Sequence, residues 1–153
     1  MANNNCRQDI IYLIRHLAKL LQSDFDDRVA RIGLTGTQAR ILFFINRQTN
    51  SLHLEVHQKD IEEEFKLAKS TVNGLVSRLL KTGFIIKKNV HQYSILEVSQ
   101  KGIDAIETIH NGRSETIDKL FLNYSEEEKV LTIERLNKLI DNLEGGDENV
   151  DKD

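Results

Sequence analysis

The sequence has no proline, no tryptophan and a single cysteine, Cys6. Without proline, no residue interrupts the long periodic stretches, and nine phenylalanines and tyrosines are few for a β-rich fold. One cysteine can form neither an internal disulfide nor a zinc site of several thiolates. We therefore expect a mainly helical protein in a reducing compartment.

Long apolar runs are also missing. The longest, residues 41–45, falls far short of the roughly 20 residues that a membrane-spanning helix needs. With 153 residues, 39% of them hydrophobic and 29% charged, the chain has the composition of a globular domain with its own core. The sequence thus predicts a cytoplasmic protein that does not partner with a membrane.

Signatures of catalysis and of metal binding are absent. The sequence contains no glycine-rich phosphate loop, nucleophile elbow, His-Glu-x-x-His motif or paired-cysteine motif, and its five histidines are scattered. We therefore expect no enzymatic activity, no catalytic residues, no metal site and no cofactor.

Charge is distributed unevenly along the chain. The net charge is only −3, but residues 66–92 contain six basic residues and no acid, whereas residues 123–153 contain ten acids and four bases. An acid-free basic segment is typical of a polyanion-binding surface, although lysine-rich faces are often only solvated. Charge alone leaves both interpretations open.

Apolar residues recur at three- and four-residue steps in three long segments. Residues 7–30, residues 99–121 and residues 126–144 each predict an amphipathic helix. Ser99 is the predicted cap of the second helix, and Ser125 and Glu128 predict a capping box for the third. Gly112 in the middle of the second segment predicts a bend, close packing or an exposed turn. One chain of this size has no other surface that could bury the first and last stripes, which favours dimerisation. The acidic residues 146–153 predict a disordered tail.

Shorter elements fill the middle of the chain. Thr35 and Gln38 predict a capped second helix that is apolar nearly all round, followed by a turn at residues 46–51 and a short strand at residues 52–56. Next come a helix at residues 60–65, a helix that opens at Ala68 or Lys69 and ends before Gly83, and a hairpin with strands at residues 84–88 and 93–98 and a tip at residues 89–92. This order predicts a winged helix-turn-helix.

The helix before the hairpin has an apolar stripe of Val72, Leu75, Val76 and Leu79, and a polar opposite face. A helix in a major groove about 12 Å wide needs short donors and acceptors on its outer face. Asparagine can pair bidentately with adenine and arginine with guanine, while lysine neutralises phosphates. The predicted DNA-binding residues are Lys69, Ser70, Thr71, Asn73, Gly74, Ser77, Arg78 and Lys81 of the helix, and Lys87, Lys88 and His91 of the hairpin.

These residues and their order resemble the MarR family of transcriptional regulators, over residues 34–42, 58–85 and 96–102. The resemblance implies a mainly α fold with a small β-hairpin, in which a winged helix-turn-helix at residues 34–98 is flanked by long dimerisation helices at residues 1–33 and 99–145. It also implies a homodimer that binds double-stranded DNA at a pseudo-palindromic operator. Such a regulator acts as a repressor or an activator, and we expect a repressor.

The chain departs from the family at two positions. Many members carry an Asp-x-Arg motif at the tip of the wing, which is the hairpin of the winged helix, and this motif places an arginine in the minor groove. Residues 89–92 contain neither an aspartate nor an arginine. The resemblance then leaves wing contacts to Lys88 and His91. Ser77 stands where the family often has an aspartate. The chain therefore lacks the acid that would form an ion pair between the recognition helix, which is the helix before the hairpin, and the wing.

Regulation by a small-molecule effector stays open. In the family, a cleft between the dimerisation and DNA-binding parts takes aromatic acids or other small amphipathic molecules. Arg15, His16 and Arg40 are candidates to reach it, although such residues are more often ion-pair partners at interfaces. Ala39 and Arg40 stand where a zinc-sensing branch has its ligands, which argues against metal sensing. Cys6 has no neighbouring histidine or cysteine to activate a thiolate, which favours a plain apolar role over redox sensing.

A second class of function remains as an alternative. The winged helix could be a protein-interaction module that docks through its acidic C-terminal helix and tail. The acid-free basic segment argues against this interpretation, and the salt dependence of DNA binding distinguishes the two.

Overall fold

The computed structural model describes residues 9–90 and 92–145, so Cys6, His91 and the predicted tail at residues 146–153 lie outside the described residues. The elements are α1 (Ile10–Arg31), α2 (Gly36–Asn46), a π-helical turn (Arg47–Ser51), α3 (Gln58–Phe65), α4 (Lys69–Lys81), β1 (Ile85–Val90), β2 (Tyr93–Val98), α5 (Gln100–Leu120) and α6 (Glu126–Glu144). The predicted mainly α fold with a β-hairpin is confirmed. No helix in the described part of the chain is long and apolar enough to cross a membrane.

The chain divides into two compact units, Met1–Thr116 and Ile117–Asp153. The first unit contains the core, which α2 crosses with residues Ile41, Leu42 and Ile45 fully buried. The predicted cap of α2 is present, because Thr35 Oγ1 accepts from the Gln38 backbone N–H at 3.3 Å and Gln38 Oε1 accepts from the Thr35 N–H at 2.9 Å. The predicted domain boundaries stay a prediction.

The segment after α2 corrects two predictions. Residues 46–51 do not form a simple turn, because the helix continues as the π-helical turn and Thr49 Oγ1 donates to the Ile45 carbonyl at 2.9 Å. The predicted strand at residues 52–56 is wrong. His53 has a φ of 55°, in the left-handed region, so the chain turns where a strand would run straight. One backbone hydrogen bond joins this segment to β2, from Leu96 N–H to the Val56 carbonyl, while the N–H groups of Leu52 and Leu54 donate back to the π-helical turn.

The helix-turn-helix lies close to its predicted bounds. α3 begins at Gln58, two residues earlier than predicted, because Asp60 Oδ2 accepts from the His57 backbone N–H at 2.7 Å and so caps the helix. α3 ends at Phe65, and the next residue, Lys66, has a left-handed φ of 50°. α4 begins at Lys69, one of the two predicted starts.

The hairpin is tighter than predicted. Its strands pair in antiparallel register from Ile85 opposite Val98 to Val90 opposite Tyr93, which leaves only residues 91–92 for the tip. Gly83, with a φ of +78°, turns the chain from α4 into this hairpin, as the sequence predicts.

Close packing explains Gly112, for which the sequence left three alternatives. A Cβ atom at this position would lie 2.8 Å from Cδ of Arg28, which passes directly against α5. Arg28 Nη2 lies 3.1 Å from Asp24 Oδ2, and the same oxygen accepts a hydrogen bond from Thr116 Oγ1 at 2.6 Å. A polar cluster therefore joins α1 to α5.

The first and last helices present apolar side chains to solvent. α1 buries only Val29, and α6, which begins with the predicted capping box of Ser125 and Glu128, buries no residue at all. Leu136 in the middle of α6 is 43% exposed and Leu143 near its end is 85% exposed. The exposed aliphatic residues are Ile10, Ile11, Leu13, Ile14, Leu17, Leu20 and Leu21 on α1, and Val130, Leu131, Ile133, Leu136, Leu139, Ile140 and Leu143 on α6.

Candidate nucleic-acid interface

The two faces of α4 are sharply different. Val72, Val76 and Leu79 are buried on the inner face, and Leu75 is half-buried beside them. The outer face carries every site residue that the sequence predicts on this helix, each of them exposed. These residues are Lys69, Ser70, Thr71, Asn73, Gly74, Ser77, Arg78 and Lys81. The inner stripe thus holds the helix on the core while its polar side chains remain accessible.

Hydrogen bonds hold the junction between α4 and the hairpin. Lys101 Nζ donates to the Thr82 carbonyl at 2.7 Å and lies 4.5 Å from the centre of the Phe84 ring. Ser99 Oγ donates to the Gly83 carbonyl at 2.6 Å and accepts from the Gly102 backbone N–H at 3.1 Å, so Ser99 also caps α5 as predicted. The end of α4, the start of β1 and the start of α5 are therefore tied together.

The hairpin is also tied to the start of α3. His57 Nδ1 lies 3.0 Å from the Ser94 carbonyl oxygen, and the His57 ring packs edge-on against Tyr93. Because His57 is the residue that precedes α3, these contacts join the hairpin directly to the helix-turn-helix.

The two lysines of the wing differ in their surroundings. Both Lys87 and Lys88 are exposed on β1. Lys88 Nζ forms an ion pair with Glu97 Oε2 on β2 at 2.6 Å, which compensates its charge locally. The sequence does not predict this pair, because it depends on the register of the hairpin.

The remaining cations leave this surface positive. Among the ion pairs of residues 9–90 and 92–145, none involves Lys69, Arg78, Lys81 or Lys87. An open concavity on the same surface is lined by Ser77, Arg78, Lys81 and Thr82. Short polar side chains flanked by uncompensated cations can bind base edges and phosphates respectively.

Gln58 joins this surface, although it is not among the residues that the sequence predicts to bind DNA. Its Nε2 donates to Oδ1 of Asn73 on the outer face of α4. The four-residue spacing of Gln58 and Glu62 on α3 hints at a side-chain pair, but only the packing of α3 on α4 brings Asn73 to the same amide.

The proposed effector residues are not brought together by polar contacts. Arg15 and His16 are exposed on α1, where His16 stacks on Tyr12 with ring centres 5.8 Å apart, and Arg40 is exposed on α2. No hydrogen bond or ion pair of the described residues joins Arg40 to either of the others. Nor does the described part of the chain contain a cluster of three or more histidine, cysteine or acidic residues that could hold a metal.

Comparison with known proteins yields a family match and several structural matches. Residues 32–91 match the model of the MarR family. A search of curated proteins found no match. The chain is similar in structure to MepR, a transcription regulator of the Staphylococcus aureus multidrug efflux pump MepA, at 21% identity and a TM-score of 0.78, over 88% of this chain and 98% of that chain.

Two further structures have the same fold. One is a protein from Clostridium acetobutylicum described as a MarR family transcriptional regulator, at 24% identity and a TM-score of 0.69, over 84% of this chain and 93% of that chain. The other is the crystal structure of the complex of S. aureus MepR with DNA, at 21% identity and a TM-score of 0.62, over 92% of this chain and 99% of that chain. At these identities the similarity establishes the fold.

Proposed function

We propose, from the premise that the chain carries the winged helix of the MarR family in residues 32–91, that the protein is a homodimeric, sequence-specific DNA-binding transcriptional regulator. The observation that carries this proposal is the exposed outer face of α4, whose small polar and cationic residues stand opposite a buried apolar stripe. The crystal structure of MepR with DNA, which has the same fold, supports double-stranded DNA as the ligand.

The residues of this face divide into two roles. Ser70, Thr71, Asn73, Ser77 and Arg78 have side chains that can bind base edges, and the absence of a side chain at Gly74 leaves room between them. The cations at the two ends of α4 and on the wing neutralise phosphates, which orients the protein but reads no sequence. These cations are Lys69, Lys81, Lys87 and Lys88. His91, which lies outside the described residues, is a further proposed DNA contact of the hairpin.

The exposed apolar faces of α1 and α6 support a homodimer. Monomeric proteins rarely leave large contiguous apolar surfaces in water, and α6 buries none of its side chains within the chain. A second copy covers such faces with two-fold symmetry and sets the two α4 helices into successive major grooves about 34 Å apart. We propose repression as the outcome, because a dimer that spans two grooves blocks other proteins from the same DNA.

We also propose that a small-molecule effector controls DNA binding. Arg15, His16 and Arg40 are exposed and therefore accessible to an anionic or aromatic molecule. An effector acts by binding better to a dimer whose α4 helices are wrongly spaced for DNA, and only that difference in affinity counts. A cytoplasmic location follows from the proposed ligand.

Binding to duplex DNA over a salt series tests the proposal. A duplex selected from a random pool should contain an inverted repeat, and its binding constant should fall with a slope of about −0.9 per neutralised phosphate when both quantities are plotted as logarithms. An unrelated duplex should bind more weakly by about 1,000-fold or more. Binding that selects no repeat and barely responds to salt would contradict it and favour a protein-interaction module that docks through α6.

A further inference from the structure

One hydrogen bond links the outer face of α4 to the helix that precedes it. Gln58, the first residue of α3, donates from Nε2 to Oδ1 of Asn73, fifteen residues later on α4. The same nitrogen lies 3.4 Å from Oε1 of Glu62, one turn further along α3. Gln58 and Glu62 are half-buried, whereas Asn73 is exposed.

The chemistry of these three side chains determines which way each amide points. The Glu62 carboxylate can only accept hydrogen bonds, so Gln58 must turn its N–H2 group towards it. The N–H2 group of Gln58 can then bind Asn73 only through the Asn73 oxygen, since two N–H2 groups cannot bond to each other. Glu62 thereby orients Gln58, and Gln58 orients Asn73.

This orientation changes what Asn73 offers to DNA. The bidentate pairing of asparagine with adenine uses the amide oxygen and the N–H2 group together, as acceptor from N6 and donor to N7. In this protein one lone pair of the Asn73 oxygen already accepts from Gln58, so the adenine pairing requires the same oxygen to accept two hydrogen bonds at once, while the N–H2 group remains fully available. Guanine presents two acceptors in the major groove, O6 and N7, and thymine presents O4, so these bases match a side chain that acts as a donor.

We propose that Gln58 is a positioning residue that fixes Asn73 as a hydrogen-bond donor, so that Asn73 selects guanine, or thymine after it, in place of adenine. This inference rests on the proposed DNA-binding function. It revises the adenine pairing that the sequence suggests for Asn73, and it assigns a role in specificity to a residue of α3.

Selection from a random duplex pool tests the proposal, with the full chain in each case. Asn73→Ala identifies the base pair that Asn73 reads, as the position at which preference disappears. The wild type should select guanine or thymine there. Gln58→Ala releases the Asn73 amide, so adenine should gain about fivefold or more relative to guanine at that one position.

A double variant reverses the polarity. Gln58→Glu combined with Glu62→Gln keeps one carboxylate and one amide on α3 but places an acceptor opposite Asn73. Asn73 should then turn its N–H2 group towards α3 and present its oxygen, which shifts selection to bases with a donor, adenine or cytosine. A residue with only a structural role would lower affinity for all sequences without this exchange of preference.

Gln100→Ala is the matched control. Gln100 is the first residue of α5, and its Nε2 donates to Asp104 Oδ1 at 2.8 Å with the same four-residue spacing. This variant loses an equivalent bond that involves no residue of α4. It should select the wild-type sequence. Thermal unfolding and binding to unrelated duplex show whether each variant remains folded.

Two results overturn the inference while the proposed function stands. One is selection of adenine by the wild type at the position that Asn73 reads. The other is an unchanged preference in Gln58→Ala that still binds its operator tightly. If the wild type selects no sequence and its binding does not depend on salt, the proposed function fails, and the inference fails with it.

Discussion

Helices α4 and α6 both have amphipathic sequences, but the folded chain buries the apolar face of α4 and leaves the apolar face of α6 exposed. The apolar stripe of α4 is buried by the protein's own core, with Val72 and Leu79 fully inaccessible. The apolar stripe of α6 stays exposed along its length, from Val130 to Leu143. The free face of α4 is therefore polar, and the free face of α6 is apolar. One face is suited to DNA and the other to a second copy of the chain.

A charge in the apolar face of α6 should have the largest effect. In Leu136→Asp, a carboxylate would have to be buried between two copies, so we expect monomers and a loss of operator affinity on the order of 100-fold. Sedimentation and operator binding measure the two effects. Asn137→Asp adds the same charge at an exposed polar position and should remain dimeric. A dimeric Leu136→Asp would show that α6 is not the interface.

A cavity under α4 should lower the stability of the single folded chain. Leu79→Ala should lower the free energy of unfolding by about 2–5 kcal/mol, because a fully buried leucine leaves a void. Leu139→Ala on α6 should act mainly through dimerisation, so its melting temperature should depend more strongly on protein concentration. Melting curves over a hundredfold range of concentration separate the two variants. If the melting temperatures of both variants depended equally on protein concentration, α4 and α6 would not differ in the way their burial indicates.

Substitution on the polar face of α4 should affect recognition. Arg78→Ala should weaken operator binding by about 1–3 kcal/mol and relax the base preference at one position, with little effect on unrelated duplex. Anisotropy titrations with both duplexes measure this difference. Lys138→Ala removes one exposed positive charge from α6 and should change neither value appreciably. Equal losses on both duplexes for Arg78→Ala would assign it to phosphate contact alone.

The two wing lysines should show the smallest effects, and unequal ones. Lys87→Ala should weaken binding to all duplexes alike and reduce the salt slope by about 0.9, the value for one phosphate. Lys88→Ala should change the slope less, because Glu97 compensates the Lys88 charge in the folded chain. The reverse order would mean that the pair of Lys88 and Glu97 opens on DNA.

Local signals account for what the sequence predicts well. Thr35 and Ser125 cap their helices through bonds to residues three positions away, and Gly83 turns the chain by its own φ. The stripe from Val72 to Leu79 spans two turns of one helix. Each of these features is decided within a few residues, so the pattern alone identifies it.

Features that join distant segments escape the sequence. The left-handed His53 interrupts an alternation that looks like a strand, and the hairpin register, which shortens the tip, also brings Lys88 to Glu97. Gly112 admits Arg28 from α1, eighty-four positions earlier. The contacts of Lys88 and Arg28 depend on which surfaces meet in the folded chain, and the spacing of residues along the sequence does not reveal this.

The sequence by itself determined the helix-turn-helix, the hairpin and the two faces of α4, because helix periodicity and caps act over one or two turns. Only the tertiary structure decided that the stripe of α4 is buried while those of α1 and α6 remain exposed. It also decided that Asn73 meets Gln58. Burial depends on what the rest of the chain can cover, and the direction of an amide depends on the neighbour that packing supplies.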